Sequence, residues 1–400
     1  MKNESPKYRF DKFNENWIIV KLSDIACHYK TGGTPSTKDP TFWGGAIPWI
    51  QSSDIQKDRL FGVIPQKFIS EEGLQNSTAK LIPKNSIAIV TRVGVGKLAI
   101  IDQDYTTSQD FLSLSDFNGD TQFIAYSIYR MLQKESTQLQ GTSIKGITKE
   151  DLLLKKISLP EIEEQSAIGS LFRTLDNLLS SYKDNLANYQ SLKATMLSKM
   201  FPKAGQNVPE IRLDGFEGEW EIKRADEIFK SVSEKNKAFL PVLSASQIDG
   251  MVLRNEIGIN IKYDEATLNN YKVVKPGQFV IHLRSFQGGF ALSKLEGITS
   301  PAYTIIDFID KENNLSDFWN SILTSRDFIK RLEAVTYGIR DGKSISFKDF
   351  SSLKFANPEL EEQQDIGSYF SNLDNLINSH QEKISQLETL KKKLLQDMFI

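Results

Sequence analysis

The chain has 400 residues, of which 40% are hydrophobic and 25% are charged, and its formal net charge is −2 at pH 7. This composition is typical of a folded globular protein and excludes an intrinsically disordered chain. No apolar run approaches the roughly 20 residues of a membrane-spanning helix, and the polar N-terminus has no signal-peptide core. The single cysteine, Cys27, excludes an intramolecular disulfide, which fits a reducing cytoplasm. We therefore expect a cytoplasmic protein. We expect it neither to bind a membrane nor to hold a metal ion.

Residues 1–159 are predicted to form a mostly β domain with a few helices. Residues 85–92 read as a turn, a short apolar strand and Arg92 at the strand's end, followed by Gly94 and Gly96. A helix is predicted over residues 122–134. Four basic residues and no acid lie between Lys80 and Lys97, which indicates a local basic patch despite the acidic chain.

The sequence of residues 160–202 predicts one long helix. Pro160 suits the first helical turn, and the acidic residues after it suit the positive end of the helix dipole. Apolar residues recur every seven positions without a proline or, past Gly169, a glycine, and about 41 residues would span roughly 60 Å. The positions seven apart are Ile168, Leu175, Tyr182, Tyr189 and Met196.

Residues 203–357 are predicted to form a second, divergent β domain. Its opening, Arg212-Leu213-Asp214, matches Arg9-Phe10-Asp11 at a constant offset of 203. Residues 277–284 repeat the turn, strand and terminal arginine of residues 85–92, with Arg284 in the place of Arg92. A helix is predicted over residues 317–332.

Residues 358–400 repeat the first long helix. Residues 160–201 and 358–399 align without a gap at an offset of 198, with 19 identities in 42 pairs. The positions seven apart are Ile366, Leu373, His380, Leu387 and Leu394. Together with the five of the first helix they are expected to form the helix seam and to support partner docking. We predict an α+β fold in which the two helices form an antiparallel coiled coil about a pseudo-twofold axis, with an outer face left for a partner protein. The alternative is that each helix packs only on its own domain.

Catalytic motifs are incomplete. Gly94-Val95-Gly96-Lys97 lacks the earlier glycine and the following Ser or Thr of a phosphate-binding loop. Asp39-Pro40-Thr41-Phe42 and Asn357-Pro358-Glu359-Leu360 lack the second proline of an adenine methyltransferase motif. We therefore expect no catalytic residue and no cofactor in this chain.

Taken together, the residues resemble the DNA-specificity subunit of Type I restriction-modification systems over essentially the whole chain. The most specific marks are the Pro-Glu-x-Glu-Glu-Gln start of both helices and the stretch from Gly33-Thr34-Pro35-Ser36 to Trp49. The resemblance implies two target-recognition domains that each read half of a bipartite double-stranded DNA target. It also implies that the helices set the spacing and bind two modification subunits.

The same resemblance implies where the chemistry lies. The modification subunits would carry S-adenosylmethionine and methylate adenine N6 after extruding the base from the duplex. Restriction subunits using ATP and Mg would complete the nuclease.

Candidate DNA-contacting residues follow from side-chain chemistry. Arginine suits bidentate bonding to guanine or phosphate, which favours Arg92 and Arg284, although a surface salt bridge is the alternative. Glycine-flanked cations predicted to contact phosphate are Lys97, Lys145, Arg340 and Lys343. Polar candidates for base edges are Ser36, Gln51, Ser143, Ser246 and Gln287. Trp43, Trp49 and Tyr303 are predicted to be core rather than stacking residues.

Two other functions fit the same residues. A self-contained DNA adenine methyltransferase with a degenerate motif would transfer methyl groups without a partner. A coiled-coil scaffold with lectin-like or peptide-binding β domains would give no salt-sensitive DNA binding when its partner is present.

Overall fold

A computed structural model of the chain describes residues 5–138, 146–203, 205–246, 249–257, 265–282, 289–335 and 346–400. The chain divides into two compact units. The first unit comprises Met1–Asp184 and Gln381–Ile400, and the second comprises Asn185–His380. Each of the two long helices contributes residues to both units.

The described residues of the first unit form nine strands, the start of the first long helix and the end of the second. Its strands are β1 (Ile18–Lys21), β2 (Ala26–Thr31), β3 (Trp43–Ile50), β4 (Lys67–Ile69), β5 (Ser86–Val90), β6 (Leu98–Ile101), β7 (Thr106–Thr107), β8 (Phe111–Phe117) and β9 (Lys156–Leu159). Its helices are α1 (Leu22–Ile25), α2 (Glu71–Gln75), α3 (Thr121–Gln138), α4 (Lys149–Leu154) and α5 (Ile162–Lys199), the last of which continues into the second unit.

Three sheets organise the first unit. An antiparallel sheet has the strand order β2-β8-β5-β6, a second sheet has the order β4-β3-β7, and β1 pairs with β9. One face of the four-stranded sheet packs on α3 and the long helices through buried residues such as Ile87, Leu114 and Phe123. A second core, including Ala88, Val90 and Tyr105, lies between the sheets. Strand residues alternate between these two cores because successive side chains point to opposite faces.

The second unit repeats this plan with different side chains. Its strands are β10 (Glu221–Arg224), β11 (Phe229–Val232), β12 (Leu243–Ser246), β13 (Gly250–Leu253), β14 (Lys272–Val274), β15 (Phe279–Ile281), β16 (Phe290–Leu292), β17 (Gly297–Thr299), β18 (Thr304–Phe308) and β19 (Lys354–Asn357). Its helices are α6 (Ala225–Ile228), α7 (Ser316–Leu323), α8 (Arg326–Val335), α9 (Phe347–Ser351) and α10 (Leu360–Asp397), the last of which continues into the first unit.

The main sheet of the second unit has the strand order β11-β18-β15-β16, which corresponds strand for strand to β2-β8-β5-β6. The β10-β19 pair likewise corresponds to β1-β9, while β12-β13 and β14-β17 form two further pairs. Its core is rich in aromatic rings, and Phe229 lies against both Phe308 and Trp319 with ring centroids 5.1 Å apart. The predicted α+β architecture of two β-rich domains and two long helices is therefore confirmed.

Two predicted helix boundaries are wrong in detail. The helix expected over residues 317–332 is divided into α7 and α8, because the hydroxyl of Ser325 accepts a bond from the N–H of Phe328 at 3.2 Å and caps a new helix. Pro160 lies before α5 rather than in its first turn, since the first helical bond runs from the N–H of Gln165 to the carbonyl of Glu161.

The two long helices run antiparallel where they meet. In the first unit Phe172 lies 5.5 Å from Phe399, and Lys183 pairs with Glu388 at 2.6 Å. Lower residue numbers on one helix thus meet higher numbers on the other. Phe172 also lies 5.0 Å from Tyr126 on α3, so the helix packs on its own domain as well as on the other helix.

The second unit has the matching half of the pair. Tyr189 lies 5.1 Å from His380, and Phe201 stacks on Phe370 with centroids 5.8 Å apart. All ten predicted seam positions are buried or half-buried: Ile168, Leu175, Tyr182, Tyr189, Met196, Ile366, Leu373, His380, Leu387 and Leu394. The antiparallel coiled coil predicted from the heptads is confirmed.

Candidate nucleic-acid interface

The start of each long helix is fixed by an arginine from the opening of its unit. In the first unit the Nε and Nη2 atoms of Arg9 both donate to the buried carboxylate of Glu164 at 2.7 Å. In the second unit Arg212 makes the same two bonds to Glu362 at 2.8 Å. Each bidentate bond raises the pKa of its arginine. The repeated Arg–Glu pair therefore explains why both segments carry this glutamate.

The glutamine that follows this glutamate ties the helix to a neighbouring helix. Gln165 donates to the carbonyl of Pro160 at 2.8 Å and accepts from the N–H of Asp120, just before α3, at 3.0 Å. Gln363 bonds in the same way to the carbonyl of Pro358 and the N–H of Leu315, both at 3.1 Å. The Pro-Glu-x-Glu-Glu-Gln motif is thus a structural joint that recurs in both units.

Away from this joint, four loops of the first unit converge at one end of its sheets. Backbone bonds join them: the N–H of Ser108 donates to Ile50 at 2.9 Å, and the N–H of Thr91 donates to Asp110 at 2.7 Å. The N–H of Gly33 donates to the carbonyl of Thr107 at 2.9 Å. We call residues 32–36, 51–54, 91–97 and 108–110 the strand-end surface.

Four predicted DNA contacts lie on the strand-end surface. Arg92 is exposed, and within the described residues no carboxylate pairs with it, which disfavours the salt-bridge alternative there. Lys97 donates to the carbonyl of Ser52 at 3.2 Å, so this cation lies beside Gln51. Ser36 is exposed on the neighbouring loop. The structure therefore brings together residues that are up to 61 positions apart in the chain.

Two tryptophans hold the loop that carries Ser36. The indole of Trp49 donates to the carbonyl of Gly33 at 2.9 Å, and that of Trp43 donates to the carbonyl of Ser36 at 3.0 Å. A Cβ on Gly33 would lie only 2.2 Å from the carbonyl oxygen of Thr78, so no larger residue fits there. Trp49 is buried and Trp43 half-buried, consistent with anchoring rather than with base stacking.

Sequence reasoning missed two polar residues on this surface. The hydroxyl of Thr34 donates to Oε1 of Gln109 at 2.5 Å, across the two loops that flank the sheet end. Gln109 is exposed and lies in the turn between β7 and β8. The sequence signal was weak, because Ser108-Gln109-Asp110 has neither periodicity nor net basic charge.

The corresponding end of the second unit is described only in part. Ser246 is half-buried, and its hydroxyl donates to Asp249 at 3.0 Å within the β12–β13 turn. His282 follows β15, its ring lies 6.3 Å from that of Tyr303, and burial lowers its pKa. The remaining candidates lie outside the described residues: Ser143, Lys145, Arg284, Gln287, Arg340 and Lys343.

The helix pair carries a second kind of surface. Leu178 and Leu390 of the first unit are 39% and 44% exposed, and their counterparts Leu376 and Leu192 in the second unit are 41% and 38% exposed. Each unit thus presents a leucine from each helix to solvent at equivalent positions. A stripe that repeats with equal exposure is typical of a surface that binds the same partner twice.

Two general properties of the described residues bear on function. None of their helices is both long and apolar enough to cross a membrane. Across the same part of the chain, no three His, Cys, Asp or Glu side chains gather into a group suited to a metal ion.

Comparison with known proteins places these features in a family. The family model of the Type I restriction modification DNA specificity domain matches residues 14–188 and again residues 217–389. The MjaVIII specificity subunit of Methanocaldococcus jannaschii is 24% identical over 95% of this chain and 91% of its own length.

Two other relatives match over a shorter range. The MjaIX specificity subunit of the same organism is 25% identical over 56% of this chain, and the EcoR124I/EcoR124II specificity subunit of Escherichia coli is 31% identical over 44%. This chain spans about half of each, 54% and 45% of their lengths.

The fold is also that of a solved structure. The S subunit of a Type I restriction-modification system from M. genitalium superposes with a TM-score of 0.66 over 99% of both chains, at 15% identity. Because the family model matches well over half of the residues, in two copies, this chain belongs to the family of Type I restriction-modification DNA specificity domains.

Proposed function

We propose that this chain is the DNA-recognition subunit of a Type I restriction-modification complex. Residues 1–159 and 203–357 would each read one half of a bipartite double-stranded DNA target. Residues 160–202 and 358–400 would set the spacing between the halves and bind two modification subunits. The chain itself would carry no catalytic residue.

The observation that carries this proposal is that the two units share their fold and helix contacts but differ in the polar residues at the ends of their sheets. The Arg–Glu pair, the glutamine joint and the strand order of the main sheet recur in both units. A polar residue at the sheet end does not recur, since Pro301 takes the place of Gln109 in the turn that leads into the equivalent strand of the second unit. A shared fold with different side chains at the sheet ends suits the recognition of two half-sites of different sequence.

The strand-end surface supports DNA contact chemically. Arg92 and Lys97 supply cations for phosphate or guanine, and Ser36, Gln51 and Gln109 supply neutral donors and acceptors for base edges. Loops held by backbone bonds to a sheet lose little conformational freedom on binding, which favours specific recognition.

The catalytic cofactors would belong to the partners. The modification subunits would hold S-adenosylmethionine, and the restriction subunits would use ATP and Mg. The repeated leucine stripe supports two equivalent docking positions for modification subunits, one per unit. A helix that buries such a stripe would add apolar contacts to the outer face of each half of the helix pair.

A domain exchange tests the proposal. The chain is co-expressed with its modification subunit, and methylated adenines are mapped across the host genome by sequencing. Replacement of residues 1–159 with another recognition domain should change one block of the target and leave the other block unchanged. The proposal fails if the exchange alters both blocks, or if no bipartite sequence is methylated.

The two alternatives have less support. The relatives matched over nearly the whole chain or about half of it are specificity subunits, which favours a non-catalytic role over a self-contained methyltransferase. Methyl transfer by the purified chain alone would reverse that judgement. A pure scaffold would leave the convergence of Arg92, Lys97 and Gln109 without a purpose, and a salt-independent gel shift, or none, would favour it.

A further inference from the structure

The turn that precedes β8 in the first unit has the same local structure as the turn that precedes β18 in the second, and both strands are inner strands of their main sheets. In the first unit the hydroxyl of Ser108 accepts a bond from the N–H of Asp110 at 3.4 Å. In the second unit the hydroxyl of Ser300 accepts a bond from the N–H of Ala302 at 3.3 Å. These turns lead into β8 and β18, which occupy the same place in their sheets.

The middle residue of this turn differs between the units. It is Gln109 in the first and Pro301 in the second, and the turn forms in both. The fold therefore does not require a glutamine at this position. A polar, exposed side chain that the fold does not need is available for recognition.

Backbone bonds put Gln109 between two predicted DNA contacts. Its neighbour Ser108 is bound to the carbonyl of Ile50, next to Gln51. Its other neighbour, Asp110, accepts through its carbonyl from both the N–H and the hydroxyl of Thr91, next to Arg92, at 2.7 and 3.0 Å. The side chain of Gln109 thus emerges near the middle of the strand-end surface.

Thr34 orients the amide of Gln109. The hydroxyl of Thr34 donates to Oε1 at 2.5 Å, which leaves one lone pair on Oε1 and both N–H groups of Nε2 for a ligand. The loop that carries Thr34 is itself held by the bond from Trp49 to Gly33. An amide fixed before binding presents a donor and an acceptor side by side at a low entropic cost.

We propose that Gln109 is a specificity-determining residue that reads an adenine in the first half-site, with Thr34 as its positioning residue. The inference deepens the proposed function and rests on it. Adenine presents the N7 acceptor and the N6 amino donor at its major-groove edge, and glutamine matches that pair with Nε2 and Oε1. The other bases do not offer this acceptor and donor in the same arrangement.

The test uses the chain in complex with its modification subunit, after the target of the wild-type complex has been mapped. Binding is measured on duplexes in which each position of both half-sites is varied in turn. Gln109→Ala should lower the preference for adenine at one position of the first half-site by about 10-fold or more, and leave the second half-site unchanged. Gln109→Glu should move that preference toward cytosine, whose N4 amino group donates to a carboxylate.

Two further measurements separate base reading from folding. A duplex with 7-deaza-adenine at the same position lacks N7, so it should bind the wild-type complex more weakly and the Gln109→Ala complex equally well. Thr34→Val should weaken the discrimination by a smaller factor. Gln103→Ala, at an exposed glutamine of the same unit, is the matched control and should change nothing.

Several results would overturn the inference while leaving the proposed function intact. One is a Gln109→Ala complex with unchanged preference at every position. Another is an equal loss of affinity on all sequences, which indicates a phosphate contact. A wild-type complex without any sequence preference would instead refute the proposed function itself.

Discussion

The ammonium group of Lys391 lies 2.5 Å from the carboxylate of Asp176, and both side chains are only 8% exposed. The hydroxyl of Tyr126 donates to the other carboxylate oxygen at 2.6 Å. Moving both residues by 198 positions gives Lys193 and Asp374, which also form an ion pair, with exposures of 27% and 42%. The same pair thus fixes the helix register in both units, but it is buried only in the first.

This difference predicts unequal effects of the same mutation. Lys391→Met leaves Asp176 buried without its cation and should destabilise the first unit by about 3–5 kcal/mol. Lys193→Met removes a partly exposed pair and should cost roughly 0–1 kcal/mol. Peptide-resolved hydrogen exchange of the full chain measures the loss of stability in the first unit for Lys391→Met and in the second unit for Lys193→Met.

A double variant serves as the control for this prediction. Lys391→Met with Asp176→Leu removes both charges, so much of the lost stability should return, because the uncompensated buried charge is gone. If Lys391→Met and Lys193→Met lose equal protection of their amides against hydrogen exchange, the assigned burial of the two ion pairs is contradicted.

Substitutions on the helices should separate docking from folding. Leu178→Asp with Leu376→Asp changes exposed positions, and we expect a folded chain that no longer binds modification subunits. Leu175→Asp with Leu373→Asp places charges at buried seam positions, and we expect loss of soluble folding. Size-exclusion chromatography with the modification subunit measures both outcomes.

Neighbouring exposed serines provide a matched control for the docking prediction. Ser181→Asp with Ser379→Asp adds the same charge one turn away from the leucines, at positions also related by 198. These variants should still bind. If the Leu178 and Leu376 variants bind modification subunits normally, the stripe is not the docking surface.

Arg92→Ala should impair the reading of the first half-site only. Arg92 is exposed on the strand-end surface, and loss of a bidentate contact to guanine costs about 1–3 kcal/mol at one base pair. If Arg92 instead contacts a phosphate, Arg92→Ala would weaken binding to all sequences alike. It would also reduce the slope of the logarithm of the binding constant against the logarithm of salt concentration by about one unit. Binding to a panel of half-site variants at several salt concentrations distinguishes the two, and unchanged affinity would refute both.

The half-buried ring of His282 predicts acid sensitivity in the second unit. Burial lowers the pKa of His282 in the folded chain, whereas the unfolded chain has a histidine pKa of about 6.5. Below that pH the unfolded state binds more protons, so the free energy of unfolding falls as the pH falls toward the folded pKa. His282→Asn should flatten this dependence below about pH 6.5. Denaturant unfolding across that range measures it, and parallel curves would contradict the prediction.

The long helices were predictable because their signal is local. A heptad repeat can be read from a single segment, and the copy at residues 358–399 doubled the signal. The break between α7 and α8 was missed, since apolar periodicity continues across residues 324 and 325 while the hydroxyl of Ser325 caps a new helix. A capping serine inside an apolar pattern is a weak signal.

The strand-end surface was only partly predictable. Arg92 and Lys97 were proposed as DNA contacts from strand-end position and charge. Gln109 was not, because its place on this surface depends on the backbone bonds of its neighbours to Ile50 and Thr91, which lie 18 or more positions away and leave no periodic trace. The Lys391–Asp176 pair joins residues 215 positions apart, and only the antiparallel register brings them together.

The final prediction tests whether the helices set the spacing of the two half-sites. Insertion of four residues after Asn185 and four after Lys383 adds about one turn, or ~6 Å, to each helix. DNA rises ~3.4 Å per base pair, so the unspecified gap should widen by roughly one or two base pairs. Four residues rotate the following helix by about 400°, which nearly restores the seam and the leucine stripe to their original faces.

Insertions of two residues at the same places are the control, because they rotate the following helix by about 200° and turn the apolar seam outward. That variant should lose soluble assembly, while the four-residue variant should methylate both original blocks with a longer gap. Methylome sequencing of cells that carry each variant with the modification subunit provides the measurement. A four-residue variant that keeps the original gap, or that changes the bases within either block, would show that spacing does not depend on helix length.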